Sequence, residues 1–242
     1  MRRKELAFFT SILLFLVASC GGNSKKQAQE NTVRIKFEDT LSLVKKENET
    51  EKKTEPEKEE FLLTEENAID FFFKYAKEEK ANKVKLTTSM GSFTIQLYDN
   101  VPYHKANFIY LTRKGYFDNT QFHRIVEDFI IQGGNSDDTE TLKKRRSIGR
   151  YLLPPDAKKG YKHHRGTISM PSSERDNPHK LASPFEFFIV VTKPGSYHLD
   201  GSYTPFGKVI QGMDVVDAIN QVPVGDGDWP WQNVYILKAE VL

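Results

Sequence analysis

The residues best placed to do chemistry lie in the stretch from Phe122 to Asn135. There a single cation, Arg124, sits among Phe122, Ile125, Val126, Phe129, Ile130 and Ile131. A guanidinium amid large apolar side chains is costly unless it finds partners or lines a cleft. Arg124 is therefore either a charged hydrogen-bond donor at an apolar cleft or an edge-strand residue with its head in water. Other chemistries find little support. The chain has no Gly-x-Ser-x-Gly nucleophile motif. Gly133-Gly134 lacks the further glycines and the Lys-Ser/Thr pair of a phosphate loop. No histidine spacing suggests a zinc helix, and the adjacent His163-His164 would point opposite ways in an extended segment. One cysteine in 242 residues excludes an internal disulfide and zinc sites built on paired cysteines. No cofactor or metal is expected.

The elements that must position Arg124 follow from hydrophobic patterning. Aromatic and β-branched residues make 122–131 strand-like, Glu127-Asp128 interrupts it with turn-compatible acids, and Gly133-Gly134 closes it where the backbone bends or approaches something closely. Residues 84–88 and 93–98 read as a hairpin around Met90-Gly91-Ser92. Pro102 suits a first helical turn, Ala106, Phe108, Ile109, Leu111 and Thr112 give a core-facing stripe, and Gly115 suits C′. Further strands are expected at 184–191, 203–210 and 234–241, with a short helix at 213–220. Many strands and two short helices in one unit suggest a mostly β fold, a closed barrel capped by helices.

Upstream, the chain changes character. Arg2, Arg3 and Lys4 precede an apolar run from Leu6 to Val17, and Ala18-Ser19-Cys20 follows. This is a secretory signal with a small-residue cleavage site, too short for a comfortable membrane span. The placement of Cys20 resembles a bacterial lipobox, which implies cleavage after residue 19 and lipidation of Cys20. The protein would then be exported and lipid-anchored, periplasm-facing or at the cell surface; an ordinary signal peptide with an incidental cysteine, or an uncleaved anchor, is the alternative. Residues 20–60 read as a disordered charged tether, because their Glu/Lys-rich composition cannot bury enough surface to offset ordering entropy. Residues 61–82 read as one helix packed on the following domain, with Thr64 as N-cap and Ile69, Phe72, Phe73 and Ala76 at helical spacing; a dimerisation helix is the sharper alternative. Between 136 and 165 the chain reads as a long loop carrying Lys143-Lys144-Arg145-Arg146. A net charge of only +2 and sparse aromatic interleaving argue against nucleic acid as a partner.

Phe122-His123-Arg124, Phe129 and Gln132-Gly133-Gly134, taken as a set, resemble the signature of the cyclophilins, a family of peptidyl-prolyl cis-trans isomerases. The resemblance runs over 83–242 with one long insertion. It implies a cyclophilin-like closed eight-stranded β-barrel capped by two helices, here with the extra N-terminal helix. It also implies an enzyme acting on proline-containing polypeptides; a monomer is the expectation, though the sequence does not set the oligomeric state. Arg124 matches the family's catalytic arginine, and Phe129, Ile130, Phe188 and Leu199 match positions lining the proline pocket. Gln132 matches a glutamine that orients the arginine, and Tyr203 falls where many members have a histidine. Three positions depart from the best-known pattern. His198 replaces a tryptophan important for cyclosporin, so weak drug binding is expected. Glu186 replaces a glutamine and could pair with Arg124, and Ser172 replaces an asparagine near the peptide-binding strand. Two functions follow: a membrane-tethered isomerase for exported proteins, or a proline-peptide binding or chaperone module with little catalytic rate.

Overall fold

The computed structural model describes residues 61–172 and 177–242. Cys20, the tether and the signal segment lie outside the described residues. Eight strands close into an antiparallel barrel: β1 (Lys83–Thr88), β2 (Gly91–Leu97), β3 (Thr120–Val126), β4 (Ile130–Asn135), β5 (Thr167–Ser169), β6 (Phe187–Val190), β7 (Pro205–Gln211) and β8 (Tyr235–Val241). They run around the barrel in the order β1-β2-β7-β5-β6-β4-β3-β8. Closure leaves no exposed sheet edge. The interior is filled by alternate residues, among them Leu86, Ile95, Phe122, Ile125, Ile131, Phe187, Ile189 and Ile236, all fully buried.

Four helices accompany the barrel among the described residues, where the sequence suggested three. α2 (Pro102–Arg113) starts on its proline and α4 (Met213–Asn220) has the predicted bounds. Phe108 of α2 packs against Phe117, Phe187 and Phe206. Helix α1 (Ala68–Glu78) is shorter than the predicted 61–82. It starts late because Asn67 turns its side chain back to accept from the Thr64 backbone N–H at 2.8 Å, holding 64–67 as a turn. Its apolar face is spent within the fold: Phe71, Phe72 and Tyr75 pack around Tyr110 of α2, and Phe72 also meets Tyr151.

The 136–165 stretch contains the unexpected helix. α3 (Thr139–Ile148) carries the basic cluster that the sequence placed in a loop. Its apolar stripe is minimal, so periodicity is silent, but its ends are well made. Asp138 accepts from the Thr141 N–H at 2.6 Å, Glu140 lies in the first turn, and Gly149 follows at φ 124°. A Cβ at Gly149 would collide with the Leu63 carbonyl, whose strand-like contact ties the N-terminal segment to the end of α3. Basic side chains do the docking. Lys144 donates to the carbonyls of Gly115 (3.0 Å) and Asp118 (2.6 Å), and Arg145 donates to Tyr116 Oη at 2.9 Å.

Two buried histidines set an acid limit. His104 on α2 is fully buried with neither ring nitrogen hydrogen-bonded, and burial lowers its pKa to about 3. Burial likewise lowers His163, against the opposing pull of Asp200. His104 stays neutral well below the pH near 6.5 at which the unfolded chain takes up protons, and His163 is shifted in the same direction. The His104 contribution is thus complete above about pH 6.5 and is lost as pH falls towards about 3, by up to about 1.4 kcal/mol per pH unit, and His163 acts in the same direction. His104→Leu should reduce the loss of Tm between about pH 6.5 and 4.5, with little cost at neutral pH. Melting curves across that range check this, and an unchanged slope would contradict it.

Candidate active site

Strand β3 breaks the alternation of its sheet. Phe122 pairs with Gly133 and Arg124 with Gln132, so His123 is an extra residue on its strand, a β-bulge. Phe122 and Ile125, three apart, therefore both point into the barrel, and Arg124 and Val126 point out. On the paired strands Ile130 and Gln132 of β4, then Phe188 and Val190 of β6, have the outward parity, in register with one another. The outer wall across β3, β4 and β6 thus carries one polar row, Arg124 and Gln132, beside one apolar row.

The apolar row forms a cluster of its own, separate from the barrel core. Ile130, Phe188, Val190 and Leu199 are its buried members, with Val126, Phe129 and Tyr203 packed against it. Phe129 and Tyr203 are half-buried, leaving the cluster open on one side. Tyr203 meets Phe188 edge-on at 5.6 Å, and Phe129 stacks on the exposed His198 at 5.4 Å. Phe129, Ile130, Phe188, Leu199, His198 and Tyr203 are brought together on this wall from three separate parts of the chain. Ser172 lies apart, on a bridge to Ala182.

Two polar clamps hold these walls. Asn220, buried at the end of α4, accepts from Asp128 N–H (2.9 Å) and donates to the carbonyls of Val126 (2.8 Å) and Ile130 (3.3 Å). It fixes the β3–β4 turn, where Asp128 has φ 55°, and so places Phe129. Opposite, His163 stacks on Phe188 and donates from Nδ1 to Asp200 Oδ1 at 2.8 Å, while its Nε2 accepts from Ser169 Oγ at 3.0 Å. Asp200 also accepts from the His163 backbone N–H. Burial alone would raise the Asp200 carboxyl, but His163 and Lys162 bring it below the ordinary aspartate value. The pair anchors the turn that supplies Leu199, His198 and Tyr203.

Arg124 does not pair with Glu186. Its Nη2 lies 3.1 Å from Asp228 Oδ2, on the short helical turn Asp226–Asp228, and both side chains are about two-fifths exposed. Glu186 is instead taken up by its neighbours. It accepts from Gln132 Nε2 at 2.9 Å and from Asn135 Nδ2 at 3.2 Å, and His123 Nε2 is 3.5 Å away. Burial would raise the Glu186 carboxyl, yet these groups hold it below the ordinary glutamate value. Gln132 stands opposite Arg124 across the strands, but its amide is directed to Glu186. Gly134 sits beneath this network at φ 98°, with the Phe185 carbonyl 2.5 Å from where a Cβ would be. Close packing and positive φ together require glycine there.

Sequence reasoning missed Asp228, Asn220, the His163–Asp200 clamp and the outward parity of Val126 and Val190. The bulge at His123 was legible in principle, because Phe122 and Ile125 are both large and apolar at odd spacing.

The family described as "cyclophilin type peptidyl-prolyl cis-trans isomerase/CLD" matches residues 83–241. The chain is 39% identical over 162 residues to the Arabidopsis thaliana peptidyl-prolyl cis-trans isomerase CYP18-2, covering 66% of this chain and 93% of that relative. It is 34% identical over 171 residues to the Rhizopus delemar peptidyl-prolyl cis-trans isomerase-like 2, covering 70% of this chain but only 30% of that longer protein. Among solved structures, the Cryptosporidium parvum cyclophilin type peptidyl-prolyl cis-trans isomerase superposes with a TM-score of 0.57 at 26% identity, covering 67% of this chain and 98% of that one. The same protein solved in the presence of the dipeptide Ala-Pro gives 0.55.

Asn220→Ala would strand the Asp128 N–H and two carbonyls. A buried group left unpaired costs about 1–3 kcal/mol. The variant should melt several degrees lower, and exchange of the Asp128 amide should accelerate beyond what that global loss explains. Exchange unchanged at Asp128 would contradict the clamp.

Proposed function

The chain belongs to the cyclophilin-type peptidyl-prolyl cis-trans isomerase family, and from that premise we propose that Arg124 is its catalytic donor and that it acts on proline-containing polypeptides outside the cytoplasm. The observation that carries the reading is the broken alternation of β3, which sets a guanidinium on the outer wall beside a separate, partly exposed apolar cluster.

The chemistry needs no nucleophile. Rotation about an X-Pro bond is opposed by about 18–20 kcal/mol because twisting destroys amide resonance. In the twisted state the proline nitrogen becomes pyramidal and regains its lone pair. A donor at that nitrogen binds the twisted state better than either planar isomer, which is catalysis by differential binding. The pocket of Phe129, Ile130, Phe188 and Leu199 takes the proline ring, and excluding water there strengthens the donor's effect. Tyr203 and His198 complete the wall, and Gln132 and Glu186 flank the path of the peptide. Five decades of acceleration require roughly 7 kcal/mol at 1.36 kcal/mol per decade. A charged hydrogen bond contributes about 1.5–3 kcal/mol, and desolvation and the grip on the flanking peptide supply the rest. The Arg124–Asp228 pair is exposed enough to contribute little net stability, so substrate can draw the guanidinium away from it.

Arg124→Ala should lower kcat/KM for an Ala-Pro peptide by about 10- to 100-fold, the equivalent of one charged hydrogen bond, with folding intact. A wild type no faster than buffer that still binds the peptide would replace the enzyme by a binding module. An Arg124→Ala variant at full rate would remove Arg124 from its role.

Export and anchoring rest on the basic, apolar and small-residue run ending at Cys20. Among the described residues no helix is long and apolar enough to cross a membrane. Isomerisation of X-Pro bonds takes about tens to hundreds of seconds unaided, which makes it a bottleneck for exported chains as they fold. In a bacterial host, metabolic labelling with palmitate should mark the wild type and not Cys20→Ser, and the variant should leave the membrane fraction. Equal labelling of both would overturn the anchor.

A further inference from the structure

The N-terminal segment and the insertion together build a second concave site. A cleft of about 670 Å3 opens between residues 62–64, the end of α3 and the chain leading into β6. That size falls in the range of ligand-binding clefts. Leu62, Leu142 and Leu152 stand around it with 45%, 44% and 37% of their surface exposed. Exposed leucines gathered at one concavity mark a site of interaction more than scattered ones do. The cleft also carries three arginines, Arg145, Arg146 and Arg150.

The charge is unbalanced. Arg146 and Arg150 are exposed and have no carboxylate within salt-bridge distance among the described residues. Arg145 lies over the Phe185 ring, is fixed by Tyr116 and Asn135, and keeps a buried Nε without a partner. The one acid in the lining, Glu186, spends its oxygens on Gln132 and Asn135. Arginine forks match carboxylates in pairs of hydrogen bonds. Clusters of them are a recurring device for reading acidic peptide motifs.

We propose that this cleft is a second peptide-binding site, taking an extended acidic segment in which carboxylates alternate with apolar side chains. The carboxylates meet Arg146 and Arg150, and the apolar side chains settle among Leu62, Leu142 and Leu152. The site needs no proline and is distinct from the Phe129–Phe188 pocket, so a client could be held at one place while its X-Pro bond is turned at the other.

The test uses the full-length chain and a fluorescein-labelled Leu-Glu-Leu-Glu-Leu-Glu peptide, followed by fluorescence anisotropy. Saturable binding is expected, weakened at least tenfold by the double variant Arg146→Glu/Arg150→Glu and by Leu152→Asp. It should be absent for the Leu-Gln-Leu-Gln-Leu-Gln peptide and undisturbed by excess Ala-Pro peptide. Both arginines are exposed and make no described ion pair, so the double variant should fold and keep its isomerase rate. No saturable binding, equal binding of the double variant or the glutamine peptide, or displacement by Ala-Pro peptide would each overturn the proposal. None of these outcomes depends on whether Arg124 is the catalytic donor.

Discussion

One extra residue in β3 sets the conditions for everything else. A strand that alternated strictly through Phe122, His123, Arg124 and Ile125 would send either Phe122 or Ile125 out of the barrel. The bulge at His123 lets both stay inside, fully buried, and turns Arg124 to the outer wall. Core and site therefore do not compete for the same face. The interior keeps its large apolar side chains at crystal-like density, and the exterior gains a cation in register with Gln132, Phe188 and the open apolar cluster. The arrangement holds Arg124 on a sheet rather than a loop, which gives it a fixed position relative to the pocket.

The walls of the apolar cluster are less rigid in origin, since four of their six residues, Phe129, His198, Leu199 and Tyr203, come from turns. Two buried polar clamps compensate. Asn220 satisfies three backbone groups of the β3–β4 turn from the end of a helix far along the chain. His163 joins Asp200 to Ser169 behind Phe188. Neutral histidine suits that position because one ring nitrogen donates and the other accepts. Protonation would leave Nε2 facing a hydroxyl as a second donor and would bury a charge. Of the two clamps, only the His163 one is sensitive to protonation, and burial shifts that ring towards its neutral form.

Much of this was legible in the residues. Pro102 and Gly115 bounded α2, the stripe of Val216 and Ile219 found α4, and the strand-turn-strand of 122–135 stood out through Glu127-Asp128 and Gly133-Gly134. The closed eight-stranded barrel needed the resemblance, because closure depends on pairings between strands distant in sequence that no local pattern encodes. α3 was missed for a definable reason. It docks through Lys144 and Arg145, whose apolar stems and charged heads serve carbonyls and a phenol, so its buried face carries no hydrophobic period. Its caps, Asp138 and Gly149, were the available signal.

Glu186 shows how a buried carboxylate can be accommodated near Arg124 without pairing with it. In isolation an acid beside the catalytic groove would compete for Arg124. Here Gln132 and Asn135 donate to its two oxygens and His123 stands close by. These partners hold the carboxyl ionised while consuming its acceptor capacity. Arg124 is left to Asp228, on a surface turn where water screens the pair. A substrate that offers a nitrogen lone pair or a carbonyl in a water-excluding pocket can outbid such a partner, whereas a buried, fully hydrogen-bonded Arg–Glu pair would cost several kcal/mol to break. The position of the acid, one strand removed and already satisfied, is what keeps the arginine available.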